Sequence, residues 1–316
     1  MNAVKRKYDL IFGLGNACSA TQTLRAADLQ FLSFPFDWVI LSGADDLARR
    51  VATISDGFRG WFERKDLERI GVYEAGRKDI YRNNATGTVF NHEFFIGDDL
   101  DEKFPAVRTK YDRRIARFLD LIRSSKSMLV LRMDRPDQEK PTSEKECRDA
   151  LAELRALHPH AAFEMLHLAM ARGVPFAARK TEDLGDGLFR IAFDYRDTSP
   201  GVPPFAVRFA DTAAAVASFA AVRDYRTAEE KRSFRRQARL KRWAKYGATT
   251  FLGYVLAKLG LRRIAFQRHC VKIRYAAAGV KQEKPRQEAG DGCEVLSQHE
   301  PLSQELQNPQ CLGGEM

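Results

Sequence analysis

The stretch FGLGNACSATQTLR, Phe12 to Arg25, holds the residues best suited to chemistry: two glycines, an amide and a thiol ahead of a run of helix formers. A thiol in the first turn of a helix lies at the positive end of the helix dipole, which favours the thiolate and makes Cys18 the leading nucleophile candidate. The glycines let the backbone turn sharply, and the free N–H groups of Cys18 and Ser19, with the Asn16 amide, can face a developing oxyanion. Cys18 can equally be a small residue that packs a helix onto a sheet, the commoner fate of a free cysteine. As a dinucleotide fingerprint the stretch puts Cys18 where the third glycine belongs, which weakens the match, and as a phosphate loop it lacks the Gly-Lys-Ser/Thr ending. The five cysteines, Cys18, Cys147, Cys270, Cys293 and Cys311, form no CxxC pair. That spacing argues against a disulfide framework and a zinc site, so no metal and no cofactor is expected.

The elements that must position this turn follow from periodicity. Tyr8 to Leu14 reads as a short strand and Ala17 to Leu29 as a helix, so the chain opens strand, turn, helix. FLSFPFDWV, Phe31 to Val39, has apolar residues on both parities around Pro35 and suits a buried loop or short strand. A helix is expected over about Gly43 to Ser55, and a hairpin between Gly71 and Phe95 that delivers NHEFF on its second arm. Lys110 to Arg123 places Ile115, Phe118, Leu119 and Ile122 at helical spacing. SMLVLRM, Ser127 to Met133, reads as a buried strand ending at Asp134. Ser143 to Leu157 reads as a helix opened by a Ser143–Glu146 capping pattern. Further strands are expected at Ala161 to Met170, Phe176 to Arg179 and Leu188 to Tyr195. Alternating strands and helices predict a three-layer α/β fold over residues 1–205, with a mostly parallel sheet and the cysteine turn after its first strand.

SPGVPP, Ser199 to Pro204, marks a break. Beyond it, helices at Thr212 to Val222 and Ala228 to Tyr246 form a basic C-terminal helical appendage over residues 206–278, and the polar residues 279–316 read as a disordered tail. With 316 residues, 44% of them hydrophobic, the chain can bury a sizeable core. The basic start and short apolar run do not read as a signal peptide, so a cytoplasmic location is expected. The net charge of +10 is concentrated between Arg226 and Arg274, where 15 Lys or Arg face two Glu. In KRSFRRQARLKRWAKY the cations interleave with Phe234, Trp243 and Tyr246, which points to an anionic membrane surface at the inner face. No RNA-recognition or helix-turn-helix signature argues for nucleic acid. Tyr246 to Leu261 is shorter than the roughly 20 residues a bilayer needs, and it contains Lys258.

Four boxes, LGNACSATQTLR, SFPFDW, FNHEF and KYDRRIARFL, occur in that order. Together they resemble a bacterial domain family of unknown function described as putative papain-like cysteine peptidases. The resemblance covers roughly Tyr8 to Arg132 and extends more weakly to about Arg196. It implies a cysteine-dependent hydrolase acting on a peptide or other acyl substrate: Cys18 attacks a carbonyl, His92 in the FNHEF box serves as general base and acid, and Asp37 in the PFDW box orients it. Asn16 and Ser19 then line the oxyanion site, and Arg113 and Arg114 can anchor an anionic group. His167 is the rival base, since a histidine near a strand end can face the crevice beside the first turn, and Asp134 is the second choice of acid. The order Cys then His is that of papain-like enzymes, while the opening strand, turn and helix are closer to a doubly wound sheet. The turn is also similar to the Gly-Asn-Cys turn of a capsular-polysaccharide acyltransferase group, so acyl transfer in polysaccharide assembly is one alternative. A non-catalytic module on an anionic membrane surface is the other.

Overall fold

The computed structural model describes residues 5–15, 17–41, 45–73, 77–138, 140–233 and 236. The chain divides into a compact body ending at Tyr225 and a second unit from Arg226 onward. In the second unit only 226–233 and 236 are described, with helix over 228–233. The rest of the expected helix to Tyr246, most of the basic run and the expected tail lie outside the described residues.

In chain order the body contains β1 (Arg6–Tyr8), β2 (Leu10–Gly13), α1 (Ser19–Ala26), a 3-10 turn (Pro35–Trp38), β3 (Val39–Ile40) and α2 (Asp46–Ser55). Then come β4 (Leu67–Tyr73), β5 (Lys78–Asn83), β6 (Val89–Phe95), α3 (Leu100–Ser124), β7 (Ser127–Met133) and α4 (Glu144–Leu157). The last elements are β8 (Ala162–Met170), β9 (Lys180–Asp183), β10 (Leu188–Phe193), α5 (Phe209–Phe219) and β11 (Ala220–Val222).

The larger sheet has the order β2-β7-β8-β10-β9, parallel except for β9 at one edge. Its inner strands are apolar on both faces, as parallel strands covered by helices must be. At the other edge Asp9 separates β1 from β2, and β1 pairs in parallel with β11. One face packs Ile11, Leu129, Leu131, Leu166 and Leu168 under α1 and α5. The opposite face packs Phe12, Val130 and Met165 against Phe118 and Ile122 of α3 and Leu151 of α4. On the first face the Thr23 and Thr212 hydroxyls meet at 3.0 Å, joining α1 to α5.

The three-layer α/β reading therefore describes the central part of the body, but "mostly parallel" does not extend to the whole molecule. The second sheet, β3-β6-β5-β4, is antiparallel throughout. Parallel neighbours need a crossover connection, whereas β5 and β6 are joined by a tight turn in which Asn83 Oδ1 accepts from Thr86 N and Gly87 adopts φ +71. The strand expected at Phe176 to Arg179 is instead a 3-10 turn at Phe176–Ala178, begun by Pro175, with the strand displaced to Lys180–Asp183. The helix expected from Thr212 begins at Phe209, and its last residues are extended because they pair with β1. The body thus runs past residue 205. Tyr225 seals it, its hydroxyl accepting from Phe31 N at 3.1 Å and its ring lying 5.5 Å from that of Phe31.

Candidate active site

Cys18 stands where β2 hands over to α1, at the carboxyl edge of the parallel strands. Leu14 N still donates to Leu131 O at 2.9 Å, so the turn leaves directly from the sheet. A Cβ on Gly15 would lie 2.7 Å from Ala20 Cβ, so glycine here is what lets α1 press so closely on the turn. Cys18 is the N-cap of α1 and its carbonyl accepts from Gln22 N at 3.0 Å. Gln22 Nε2 also donates to the Cys18 sulfur at 3.3 Å. Burial pushes the thiol pKa up, and the Gln22 hydrogen bond, the Cys18 amide and the Arg135 charge oppose that rise without cancelling it. The expected shift towards thiolate is thereby reversed in the resting protein, because desolvation outweighs a short helix dipole and one nearby cation. The Ser19 hydroxyl is buried with no hydrogen-bond partner among the described residues. Asn16 lies outside them.

Asp37 is 1% exposed and its oxygens are fully engaged. Oδ1 accepts from Thr21 Oγ1 at 2.9 Å, and Oδ2 accepts from Gln30 Nε2 at 2.7 Å and Phe34 N at 2.8 Å. Arg25 Nη2 stands 3.5 Å from Oδ2. Burial pushes this carboxyl up against those four stabilising contacts. Asp37 therefore fastens α1 to the PFDW turn, and the His92 ring is not among these partners.

His92 projects from β6 with its ring edge-on to Trp38 at 5.8 Å and to Tyr73 at 5.4 Å. The Arg25 guanidinium lies 5.1 Å from the Trp38 ring. Cys18, Gln22 and Arg25 share one face of α1, with Gln22 on the sulfur and Arg25, toward the helix end, against the Trp38 ring that packs on His92. Among the described residues neither His92 nor His167 is hydrogen-bonded to the sulfur.

The expected pair on α3 divides. Arg113 is exposed, whereas Arg114 is half-buried over the Tyr111 ring at 5.1 Å, with Nη1 3.8 Å from Glu93. Glu93 also accepts from Tyr111 Oη at 2.8 Å and pairs with Lys110. The FNHEF and KYDRR boxes thus meet through Glu93, which ties β6 to α3.

Residues 9–160 match the model of a family described as putative papain-like cysteine peptidase. That segment, just under half of the chain, is similar to the family. No curated protein and no solved structure matches the chain. The peptidase-family segment holds Cys18, Asp37, His92 and Asp134, and it ends before β8.

Beyond it, His167 on β8 is bonded through Nε2 to Asp134 Oδ2 at 3.0 Å, both groups buried. Asp134 Oδ1 takes the Thr142 hydroxyl at 2.7 Å, and Tyr195 Oη donates to the Asp134 carbonyl at 2.9 Å. Burial pushes the Asp134 carboxyl up, but His167, Thr142 and Arg132 outweigh it and hold the group below its ordinary value. The rival base and second-choice acid of the sequence are therefore partners, brought together by neighbouring parallel strands. Asp134 also lines a cleft of about 490 Å³ with Arg135, Gln138, Pro141, Met170 and Arg172.

Sequence reasoning missed the buried ion pair of Asp46 and Arg132, bidentate at 2.7 and 2.8 Å. Arg132 also donates to Leu14 O at 2.9 Å, holding the start of the cysteine turn. The one charge in the apolar strand SMLVLRM was the available signal. Among the described residues no group of three or more His, Cys, Asp or Glu is arranged to hold a metal, and no helix is long and apolar enough to cross a membrane.

Proposed function

We propose that the chain is a cysteine-dependent hydrolase in which Cys18 attacks the carbonyl of a peptide or other acyl substrate. The observation that carries this is the place of the sulfur. It caps the helix that follows β2, the first strand of the parallel sheet, inside the segment matched by the cysteine-peptidase family model, and it faces the polar groups of Gln22 and Arg135. With the thiol neutral at rest, the base must remove its proton as the C–S bond forms, while the carbonyl π pair moves onto oxygen. Backbone N–H groups at the start of α1 donate to that oxyanion. The imidazolium then returns the proton to the leaving group, and water releases the acyl group. An acyl acceptor in place of water turns the same intermediate to acyl transfer.

His92 is assigned as the base because it lies within the family segment and its ring is held by Tyr73 and by Trp38, the ring that Arg25 of α1 also meets. Catalytic hydrogen bonds are often long without substrate and tighten when it binds. The His167–Asp134 pair supports a second assignment, since it already has the imidazole–carboxylate geometry of an oriented base. Incubation with p-nitrophenyl acetate and mass spectrometry separates them. The expected result is an acetyl adduct on Cys18, absent in Cys18→Ala, formed about 100-fold more slowly in His92→Ala and little changed in His167→Ala. The opposite order for the two histidines moves the base to His167. No adduct on wild-type Cys18 rejects the hydrolase.

A further inference from the structure

Arg50 is completely buried on α2, yet none of its three guanidinium nitrogens has a hydrogen-bond partner among the described residues. The carboxylate one helical turn before it, Asp46, already gives both oxygens to Arg132. Arg132 is itself engaged through all three nitrogens, with Nε on the Thr142 hydroxyl at 2.9 Å and Nη1 also on Leu14 O. What Arg50 meets is the ring of Phe36 in the PFDW turn, 5.1 Å from its guanidinium carbon. Arg50 thus keeps its charge in the core without a hydrogen-bonded counter-ion among the described residues.

Such a charge is costly, because an uncompensated buried ion loses its hydration and gains nothing in return. A neutral side chain of similar volume would serve packing better. Burial pushes the Arg50 pKa down to about 9, with Asp46 opposing and Arg132 adding to the shift, so the group stays charged at neutral pH. Five N–H donors on a rigid planar fork, with no acceptor among the described groups, match a doubly accepting oxyanion better than they match anything in the surrounding core.

We propose that Arg50 is the receptor for an oxyanion, a phosphate or a carboxylate, bound beside the Asp46–Arg132 pair and the Phe36 ring. The site does not depend on the thiol chemistry assigned to Cys18. Bound there, the anion satisfies the guanidinium fork and gives Arg50 a counter-ion of its own, and the bidentate grip of Arg132 on Asp46 stays intact.

The test is thermal unfolding of the full chain in anion-poor buffer, titrated separately with inorganic phosphate and with acetate. In wild type and in Cys18→Ala alike, one of the two should raise the melting temperature saturably, and the one with the lower half-saturating concentration identifies the ligand class. In Arg50→Met the rise should vanish, and without added anion that variant should melt no lower than wild type. Arg50→Lys, which keeps the charge and loses the fork, should need at least tenfold more anion for half-saturation. The proposal is overturned if neither anion shifts wild type, or if Arg50→Met melts lower yet responds as wild type does. Should Arg50→Met not fold, an unchanged half-saturation in Arg50→Lys overturns it and a weakened one upholds it.

Discussion

Cys18 owes its protonation to a contest between burial, which favours the thiol, and Gln22 with Arg135, which favour the thiolate. Because the folded pKa lies above the ordinary thiol value, the thiolate is scarce at neutral pH and appears only as pH rises through the alkaline range. Iodoacetamide labelling of resting Cys18 should therefore climb with pH beyond the point where a free thiol, with pKa near 8.5, has levelled off. Gln22→Ala removes a stabilising hydrogen bond and should move the labelling midpoint higher still, while a midpoint below that of a free thiol would contradict the desolvated setting. At this scale the sequence revealed where the thiol sits but not its environment. Asp37 looked available because Gln30, which occupies one of its oxygens, lies outside the PFDW box. Arg50 gave no signal at all, since its isolation depends on a partner of Asp46 that is 86 residues away.

Elements were legible where one local rule decided them. β7 matches its expected bounds because its run is apolar apart from Ser127 at its start and the single charge of Arg132, and α4 begins at Glu144 because the reciprocal Ser143–Glu146 cap forms just ahead of it. Errors fell where a partner set the conformation, as for Ala220–Val222, drawn out of helix by pairing with β1. The glycines of the opening turn were legible as a tight turn, but their stricter duty appears only in the contact between Gly15 and Ala20. Gly15→Ala should lower stability by about 1–3 kcal/mol through overpacking. Ala20→Gly in the same chain should recover most of that loss, beyond what the two single changes predict additively. Urea unfolding of the four proteins measures the coupling, and strict additivity would show that the two sites do not press on each other.

Across the whole molecule, alternation of strands and helices disclosed the α/β class, while strand order and the separate antiparallel sheet depended on long-range pairing that periodicity does not encode. The most consequential shift is the end of the body. β11 covers the edge of β1, and Tyr225 closes over Phe31 and Phe34. A chain stopped after Phe219 should melt roughly 10 °C below one stopped after Tyr225, since about 3 kcal/mol of lost pairing and aromatic burial corresponds to such a shift in a body of this size. Equal melting temperatures in calorimetry would show that the last strand and tyrosine contribute nothing.

The hydroxyls of Thr21 and Thr23 bear on the direction of the thiol. One is tied to Asp37 and the other to Thr212, so α1 is tethered from two different sides near its middle. A cylinder held at two azimuths cannot roll about its own axis, and the bearing of the sulfur at its tip is fixed by hydroxyls that never touch it.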